Sequence, residues 1–227
     1  MKRNLFLYSL IFSLLFVSCG VQRQSIPDLF VDLKKAIPTL AIDLRYHGDH
    51  NFVGRPIRGY EGNRIYLSKA AAIALASAQR ELAAENLGFK VFDAYRPQQA
   101  VDHFKEWASA IADTVAKQEF YPDVDKRDLF NLGYIAEKSG HSRGSTIDLT
   151  LIDLRDGKEL DMGSGFDYFG ERSHHDYQGI TAVQKANRKK LRHIMEKHGF
   201  KSIAEEWWHY TLINEPNKEV YYDFPIR

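Results

Sequence analysis

The chain has 227 residues, and its 31 basic and 30 acidic residues leave a formal net charge of +1. A hydrophobic content of 44% and a charged content of 27% are ordinary for a globular protein with one sizeable core. The balanced charge, without a lysine- or arginine-rich run, argues against nucleic acid as a partner.

The N-terminus has the composition of an export signal. Lys2 and Arg3 precede an apolar stretch over residues 5–17, which is shorter than the roughly 18–20 residues that span a bilayer. The stretch ends in FVSCG at residues 16–20, which resembles the lipobox of bacterial lipoproteins, with phenylalanine in place of the usual leucine. A plain secretory signal with an incidental cysteine is the alternative.

From this pattern we predict a lipoprotein signal peptide over residues 1–18, a tether over residues 19–30 and a single domain over residues 31–227. A lipidated Cys19 would hold the exported protein to a membrane, in the periplasm or cell envelope. Cys19 is also the only cysteine of the chain. The domain therefore has neither a disulfide nor a thiolate ligand, and any transition-metal site must be built from His, Asp and Glu.

Helical and strand patterns alternate along the domain. Amphipathic or Ala-, Leu- and Glu-rich segments predict four helices, at residues 68–87, 96–118, 125–138 and 181–198. Alternating apolar segments predict three strands, at residues 89–95, 145–153 and 205–213, and residues 220–226 form either an edge strand or an extended tail. The mixture predicts an α+β fold in which helices flank a small, mostly antiparallel sheet.

The predicted strand STIDLTLID places Asp148 in mid-strand, where a carboxylate is disfavoured. The isoleucine and leucines that alternate with Asp148 would face the core, so the carboxylate would face the other side of a half-buried strand. His141 lies on the approach to this strand, and Gly144 lets the chain turn so that the two side chains can meet. Considered alone, the segment also fits a solvated loop histidine and a surface aspartate.

The segment EEWWHY, at residues 205–210, supplies further candidates. With His141 and Asp148, His209 would complete a set of three ligands that holds one zinc ion and leaves the fourth position to water. The pKa of such a water falls to about 7, and Glu206 could accept its proton and pass it to a leaving amine, with Glu205 as the less favoured neighbour. The alternative is an aromatic core strand with a charged start.

The spacing of Glu206 and His209 constrains this arrangement. Residues three apart point to opposite faces of a regular strand. Glu206 must therefore lie at the entrance of the strand, or a bulge must re-aim one of the two side chains. The intervening Trp207 and Trp208 would wall the site and lower its dielectric constant, which strengthens charge interactions inside it.

Two other segments carry groups that could bind substrate. Arg96 ends a predicted strand just before Pro97, where a permanent cation could hold a carboxylate or a developing oxyanion. A glycine-rich segment after residue 160 offers three possible anchors for a substrate ammonium, Asp161, Asp167 and Asp176. The adjacent His174 and His175 cannot both turn to one ion from a regular strand, so we predict a structural role for them. An ordinary surface position is the alternative for each residue.

These segments, in this order, resemble the D-alanyl-D-alanine dipeptidases of the VanX type, within a family of zinc peptidases that includes D,D-carboxypeptidases. The resemblance covers nearly the whole domain, through IDLRY (42–46), NFVGRPIRGY (51–60), DAYRP (93–97), SGHSRGSTIDLTL (139–151), DMGSGFD (161–167), ERSHHD (171–176) and EEWWHY (205–210). The pattern SxHxxGxxxD followed by ExxH is specific in this order, whereas each half alone is weak.

The resemblance implies a hedgehog/D-Ala-D-Ala-peptidase-like fold and hydrolysis of D-Ala-D-Ala, or of a related short D-dipeptide, by metal-activated water. It implies one zinc ion per chain, held by His141, Asp148 and His209. Glu206 matches the catalytic base, and Arg96 matches the arginine that stabilises the tetrahedral intermediate.

The resemblance also implies a clamp for the free amino group of the substrate. Asp167 matches the acid that binds this group, and Ser139 would help at the same end. A clamp of this kind excludes longer peptides. The alternatives are a D,D- or L,D-carboxypeptidase that acts on muropeptides, and a lipoprotein that binds cell-wall peptide without catalysis.

Overall fold

The computed structural model of the protein describes residues 25–227. The predicted signal peptide, Cys19 and half of the predicted tether, residues 19–24, lie outside the described residues. Phe30, the last residue of that tether, begins the first strand, and its ring packs edge-on against Tyr95 and Phe224 with centroids 5.0 and 4.9 Å away. Among the described residues, no helix combines the length and apolar composition that a membrane crossing requires.

The described chain forms seven strands: β1 (Phe30–Asp32), β2 (Ala41–Ile42), β3 (Tyr66–Ser68), β4 (Leu87–Asp93), β5 (Thr146–Asp153), β6 (Phe200–Ser202) and β7 (His209–Leu212). Five of them form one sheet in the order β2-β4-β5-β7-β6, and β1 pairs with β3 apart from it. Only the β2–β4 pair of the large sheet is parallel. The predicted small, mostly antiparallel sheet is confirmed.

The helices of the described chain are α1 (Leu33–Ala36), α2 (Lys69–Ala83), α3 (Gln98–Ser109), α4 (Lys117–Phe120) and α5 (Ala182–Lys197). Short 3-10 turns occupy Lys126–Asp128, Gly140–Arg143 and Glu171–Ser173. Ser68 caps α2, and Thr181 forms a capping box with Gln184 at the start of α5, so both helices begin where the sequence predicts. Helix α2 packs against β4, α5 packs against β5 and β6, and the two helices contact each other.

Strand β5 is the middle strand of the sheet and is buried on both faces, not half-buried as predicted. Its alternating residues Ile147, Leu149 and Leu151 are 0% exposed, but Asp148 on the other face is also only 2% exposed. Arg96 and His141 cover that face and approach the Asp148 carboxylate to 3.5 and 3.2 Å. A short polar alternation therefore marks a buried polar site here and not a solvated surface.

The predicted helix at residues 125–138 is wrong, since only the turn Lys126–Asp128 is helical there. Leu129 and Ile135 are buried there, whereas Phe130 and Leu132 are 41% and 53% exposed, so the buried apolar residues do not line one face of a helix. Gly133 has a φ of +82°, which a helix cannot accommodate.

The ends of other elements also differ from the predicted ones. Helix α3 ends at Ser109 instead of continuing to residue 118, and β7 begins at His209 instead of residue 205. Residues 220–226 form an extended tail whose Ile226 bridges to Tyr60. The tail packs inward, since the Phe224 ring stacks on Tyr95 with centroids 4.1 Å apart.

Candidate metal centre and active site

Strand pairing places acidic and imidazole side chains in one row across the sheet. Asp148 lies opposite His209 in the β5–β7 ladder and opposite Asp93 in the β4–β5 ladder. His141 reaches the same place from the 3-10 turn that ends at Gly144, where a φ of +83° lets the chain reverse into β5. The alternation of β5 thus aims Asp148 at the two histidines while its neighbours fill the core.

Donor atoms of three side chains converge within the short distances expected of metal ligands. His141 Nε2 lies 3.2 Å from Asp148 Oδ2, and His209 Nδ1 lies 3.2 Å from Asp148 Oδ1. The two ring nitrogens are 3.3 Å apart. Tetrahedral zinc with bonds of about 2.0–2.1 Å to nitrogen gives ligand separations of about 3.3 Å. The spacing of the three donors fits that ion.

A buried carboxylate oxygen without a partner is a second indication of a metal site. Asp148 Oδ1 is buried and has no hydrogen-bond partner, although His209 Nδ1 is only 3.2 Å away. This oxygen therefore has a lone pair available to a cation. A buried, unpaired carboxylate oxygen is costly unless a cation takes it. Two imidazole nitrogens and one carboxylate oxygen are also a set that zinc prefers.

A hydrogen bond to the backbone fixes the orientation of the His141 ring. Its Nδ1 lies 2.7 Å from the backbone carbonyl of Ala94, to which it donates, so its Nε2 faces Asp148 with a free lone pair. Burial lowers the pKa of His141, which keeps the imidazole neutral and able to bind a metal. The tautomer that a zinc ligand needs is therefore built into the fold.

The Asp148 carboxylate is held in its charged form. Burial alone would raise its pKa, but His141 and His209 outweigh that effect and hold the pKa below its usual range. A ligand that stays ionised at any physiological pH suits a divalent cation.

Glu206 lies in the turn that precedes β7, at the strand entrance as the sequence predicts. The backbone N–H of His209 donates to the carbonyl of Glu206 at 3.4 Å, and this turn brings Glu206 Oε2 to 3.4 Å from His209 Nδ1. Burial raises the pKa of Glu206 to about 7. A carboxyl group with that pKa can accept and release a proton near neutral pH. Glu205 is exposed and does not line the cavity.

Arg96 lies between β4 and α3, as predicted, and covers the candidate metal ligands. Its Nη2 is 3.5 Å from Asp148 Oδ2, and its guanidinium lies over the rings of Tyr46 and Phe104 at 5.0 and 5.2 Å from the centroids. Its Nε donates to Asp93 Oδ2 at 2.9 Å. The side chain is only 13% exposed, so the guanidinium is held in one place by its neighbours.

A cavity of about 200 Å³ opens over these groups. Asp167, Ser139 and Lys138 line it together with the three donors, Glu206 and Arg96. Asp167 is 5% exposed and accepts the Tyr46 hydroxyl at 2.7 Å. Burial raises the pKa of Asp167 well above its ordinary value, and the Asp148 carboxylate adds to this.

Ser139 lies beside the ligands at the start of the 3-10 turn. Its Oγ accepts the backbone N–H of His141 at 3.3 Å, so the serine caps the turn that carries the first ligand. All seven site residues predicted from the sequence therefore lie along one cavity.

Other candidates from the sequence lie elsewhere. Trp207 and Trp208 are core residues that do not line the cavity, which corrects the predicted tryptophan wall; Trp207 Nε1 instead donates to Ser164. The cavity wall is made by other aromatic residues, Tyr46, Phe52, Phe104, Tyr134 and Phe169. Asp161, Asp176, His174 and His175 are also absent from the cavity lining.

The sequence interpretation missed Asp93 and Tyr46. Asp93 is 0% exposed and holds Arg96, while Tyr46 holds Asp167. Asp93 carried the same signal as Asp148, namely a carboxylate within an apolar alternating strand. No comparable signal distinguishes Tyr46, because a tyrosine near a strand is usually a core residue.

Comparison with known sequences gives one consistent result. The family described as D-ala-D-ala dipeptidase matches residues 28–227. The chain is 45% identical over 197 residues to a D-alanyl-D-alanine dipeptidase of Enterococcus faecalis, with 87% of this chain and 98% of the relative covered. A dipeptidase of the same name from Streptomyces coelicolor is 45% identical, with 87% and 96% covered. One from Enterococcus faecium is 41% identical, with 87% and 98% covered.

Among solved structures, a variant of the vancomycin-resistance D,D-pentapeptidase VanY in complex with Zn(II) matches 68% of this chain and 77% of its own. Its sequence identity is 13% and the TM-score is 0.40. A score this low does not establish a common fold, so kinship rests on the sequence matches.

Proposed function

The chain belongs to the D-alanyl-D-alanine dipeptidase family, and from that membership we propose that it is a zinc enzyme that hydrolyses D-Ala-D-Ala or a related short D-dipeptide. The observation that carries the proposal is the convergence of His141 Nε2, Asp148 and His209 Nδ1 within 3.2–3.3 Å, with Glu206 at 3.4 Å from the last of them. His141, Asp148 and His209 would hold the zinc ion. When bound, zinc supplies a Lewis acid and lowers the pKa of water.

Glu206 is the proposed general base. Its carboxylate accepts a proton from the attacking water and delivers it to the nitrogen of the leaving amine. Its pKa of about 7 suits both halves of this transfer. Arg96, fixed by Asp93, supplies positive charge where negative charge develops on the carbonyl oxygen.

Asp167 is the proposed anchor for the amino group of the substrate. It is a buried carboxyl group whose one hydrogen-bonding partner among the described residues is neutral, the Tyr46 hydroxyl. An incoming ammonium would supply the missing counter-charge and favour the ionised carboxylate. Asp167 lies on the same cavity as the proposed zinc ligands, and an anchor for a free amino group there favours a dipeptide over a longer muropeptide. Ser139 lies on the same cavity wall.

The test is hydrolysis of D-Ala-D-Ala by the zinc-loaded protein, compared with Glu206→Ala and the matched control Glu205→Ala. We expect Glu206→Ala to keep one zinc ion and lose at least about 100-fold in kcat, while Glu205→Ala stays near wild type. Full turnover in Glu206→Ala or after chelation would overturn the mechanism. Faster cleavage of a muropeptide or of N-acetylated D-Ala-D-Ala would instead favour a carboxypeptidase, and binding without cleavage a peptide-binding lipoprotein.

We also propose that the protein is exported and anchored at Cys19. Support comes from the signal-like composition of the leader, which precedes the family match at residues 28–227. Metabolic labelling with palmitate, followed by membrane fractionation, tests this. The label should be absent from Cys19→Ser. A secreted, unlabelled wild-type protein would indicate a plain secretory signal.

A further inference from the structure

A second cavity, of about 230 Å³, shares no lining residue with the active site. Its lining includes four cationic side chains and a histidine but no carboxylate: His175, Tyr177, Gln178, Lys185, Arg188, Lys189 and Arg192. Four of these residues come from α5, at spacings of three and four that put them on one side of the helix. The cavity therefore concentrates positive charge within a protein whose net charge is only +1.

Arg188 is the most unusual member of this group. It is 2% exposed, and its guanidinium donates to the backbone carbonyls of Met162, Arg172 and His174 at 2.6, 2.7 and 2.7 Å. In the described part of the chain it forms no ion pair with a carboxylate. Buried charges in proteins are normally paired with an opposite charge. Three of the five guanidinium N–H donors are used, and the positive charge has no carboxylate within ion-pair distance among the described residues.

His175 also lines this cavity. Its Nε2 is buried and has no hydrogen-bond partner among the described residues. Burial, reinforced by Arg192 and Arg188, lowers the pKa of His175 to about 4. Because Nε2 has no exposed surface, an anion in the cavity would act on His175 through the electrostatic field, and it would offset the effect of Arg188 and Arg192 on the protonation of the imidazole.

Among the four cationic residues that line the cavity, only Arg192 has a carboxylate partner within the described chain. Lys185 Nζ donates to the neutral Gln178 amide oxygen at 2.9 Å, and Arg192 Nε reaches Glu196, outside the lining, at 2.6 Å. Lys189 forms no ion pair among the described residues. In contrast, the adjacent Lys190 points away and pairs with Glu85 at 2.5 Å.

We propose that this cavity binds a small oxyanion of the phosphate or phosphate-ester class, between Lys189, His175 and the buried Arg188. A doubly charged tetrahedral anion matches several cationic donors better than a single carboxylate does. The site is independent of the proposed dipeptidase activity. Its effect is on stability, because Arg188 fixes the carbonyls of residues 162, 172 and 174 on both flanks of the loop that carries Asp167.

Isothermal titration of the zinc-loaded protein with inorganic phosphate, against sodium chloride at equal ionic strength, tests the proposal. We expect saturable binding that Lys189→Ala weakens about tenfold or more and that Lys190→Ala leaves unchanged. Equal weakening in both variants would show only general charge attraction and would overturn the site. Binding that survives Lys189→Ala and competes with dipeptide hydrolysis would place phosphate at zinc and would also overturn it.

The imidazole of His175 gives a second and local readout. Phosphate should raise the pKa of His175 measured by NMR. Adding phosphate should leave the resonances of His193 unchanged, because His193 is exposed on α5 and lies outside the cavity. Glycerol phosphate in place of inorganic phosphate distinguishes an ester from the free ion. An unchanged His175 titration at saturating phosphate would contradict the proposed contact.

Discussion

Asp93 connects three parts of the active site through a single buried carboxylate. Its Oδ1 accepts the Tyr60 hydroxyl at 2.7 Å, and its Oδ2 accepts Arg96 Nε at 2.9 Å. The same Oδ2 is 3.5 Å from His141 Nδ1, but that nitrogen already donates to Ala94 at 2.7 Å. The shorter contact decides the role: Asp93 positions Arg96, and the backbone positions His141.

Replacing Asp93 with asparagine should therefore reduce catalysis without releasing the metal. In Asp93→Asn the side-chain shape is kept but the charge that holds Arg96 is lost, and we expect kcat to fall about 10- to 100-fold with little change in KM. Steady-state kinetics and zinc analysis measure the two effects. Asp43→Asn, which removes the charge of a more exposed partner of Arg45, is the matched control.

A double-mutant cycle separates positioning from general damage to the fold. In an Arg96→Ala background, Asp93→Asn should cost little more, because the residue through which it acts is already gone. Independent, additive losses, or a zinc content well below one per chain, would contradict this role.

At the scale of elements, the turn between the first two ligands depends on one glycine. Gly144 ends the 3-10 turn of His141 and leads into β5, and its carbonyl accepts Ser68 N–H at 2.6 Å. A methyl group at Gly144 would overlap the ring of Phe30. Gly157 has a similar φ of +73° but open space around its Cα. Comparing alanine substitutions at these two glycines therefore separates the cost of backbone strain from the cost of crowding.

We expect Gly144→Ala to destabilise the protein by about 2–4 kcal/mol, the sum of left-handed strain near ~1 kcal/mol and the displacement of a core ring. Gly157→Ala should show only the strain, about 1 kcal/mol. Denaturant unfolding of the two variants measures the difference. Gly144→Ala should also bind zinc more weakly, because the turn aims His141. Equal losses in both variants would rule out the crowding argument.

The predictable elements are those in which the sequence periodicity matches the packing of the folded protein. Strand β5 and helix α5 combine a clear period with caps or a buried face, and both occur where the sequence places them. The segment at residues 125–138 has a helical composition, but its buried residues Leu129 and Ile135 do not share one helical face and Gly133 has a positive φ, so tertiary packing overrides local propensity. The two-residue strand β2 was not predictable, since it exists only by pairing with β4.

The site was predictable to a similar extent and for similar reasons. His141, Asp148, Glu206 and His209 stand in motifs whose spacing limits their geometry. Asp93 joins them only because the β4–β5 register sets it opposite Asp148, and a register is not visible in one sequence. The second cavity depends on how α5 lies against residues 175–178, which a helical pattern alone cannot show.

For the whole molecule, His175 makes stability depend on pH. Its pKa is about 4 in the folded state and about 6.5 in an unfolded chain. Between these values the unfolded chain binds the proton and the folded protein does not. Stability is therefore unaffected by this group above about pH 6.5 and falls by up to ~1.4 kcal/mol per pH unit as pH decreases towards 4.

Denaturant unfolding between pH 7 and pH 4 measures this dependence. His175→Gln should flatten the slope, since glutamine does not titrate, whereas His193→Gln on the exposed side of α5 should leave it unchanged. Phosphate should also flatten it if it raises the pKa of His175. A slope that is the same in wild type and His175→Gln would contradict the assignment.

Zinc should stabilise the whole domain, because its proposed ligands come from a turn and two strands far apart in sequence. A free zinc concentration about 1,000-fold above Kd adds about 4 kcal/mol, which corresponds to roughly 10 °C in Tm. Chelation should remove this shift, readdition of zinc should restore it, and magnesium should not. His141→Ala should melt at the same temperature with and without zinc. A wild-type Tm that does not respond to zinc would exclude the metal centre.

The burial of β5 on both faces has a consequence for amide hydrogen exchange. Its backbone is hydrogen-bonded to β4 and β7, so its amides should exchange only through global unfolding. The outer wall of the cavity at residues 133–138 is mostly exposed and forms neither helix nor strand, so its amides should exchange through local opening. Deuterium should therefore be incorporated at residues 133–138 long before it is incorporated in β5. We therefore expect the strand that carries Asp148 to keep its geometry through local openings of residues 133–138.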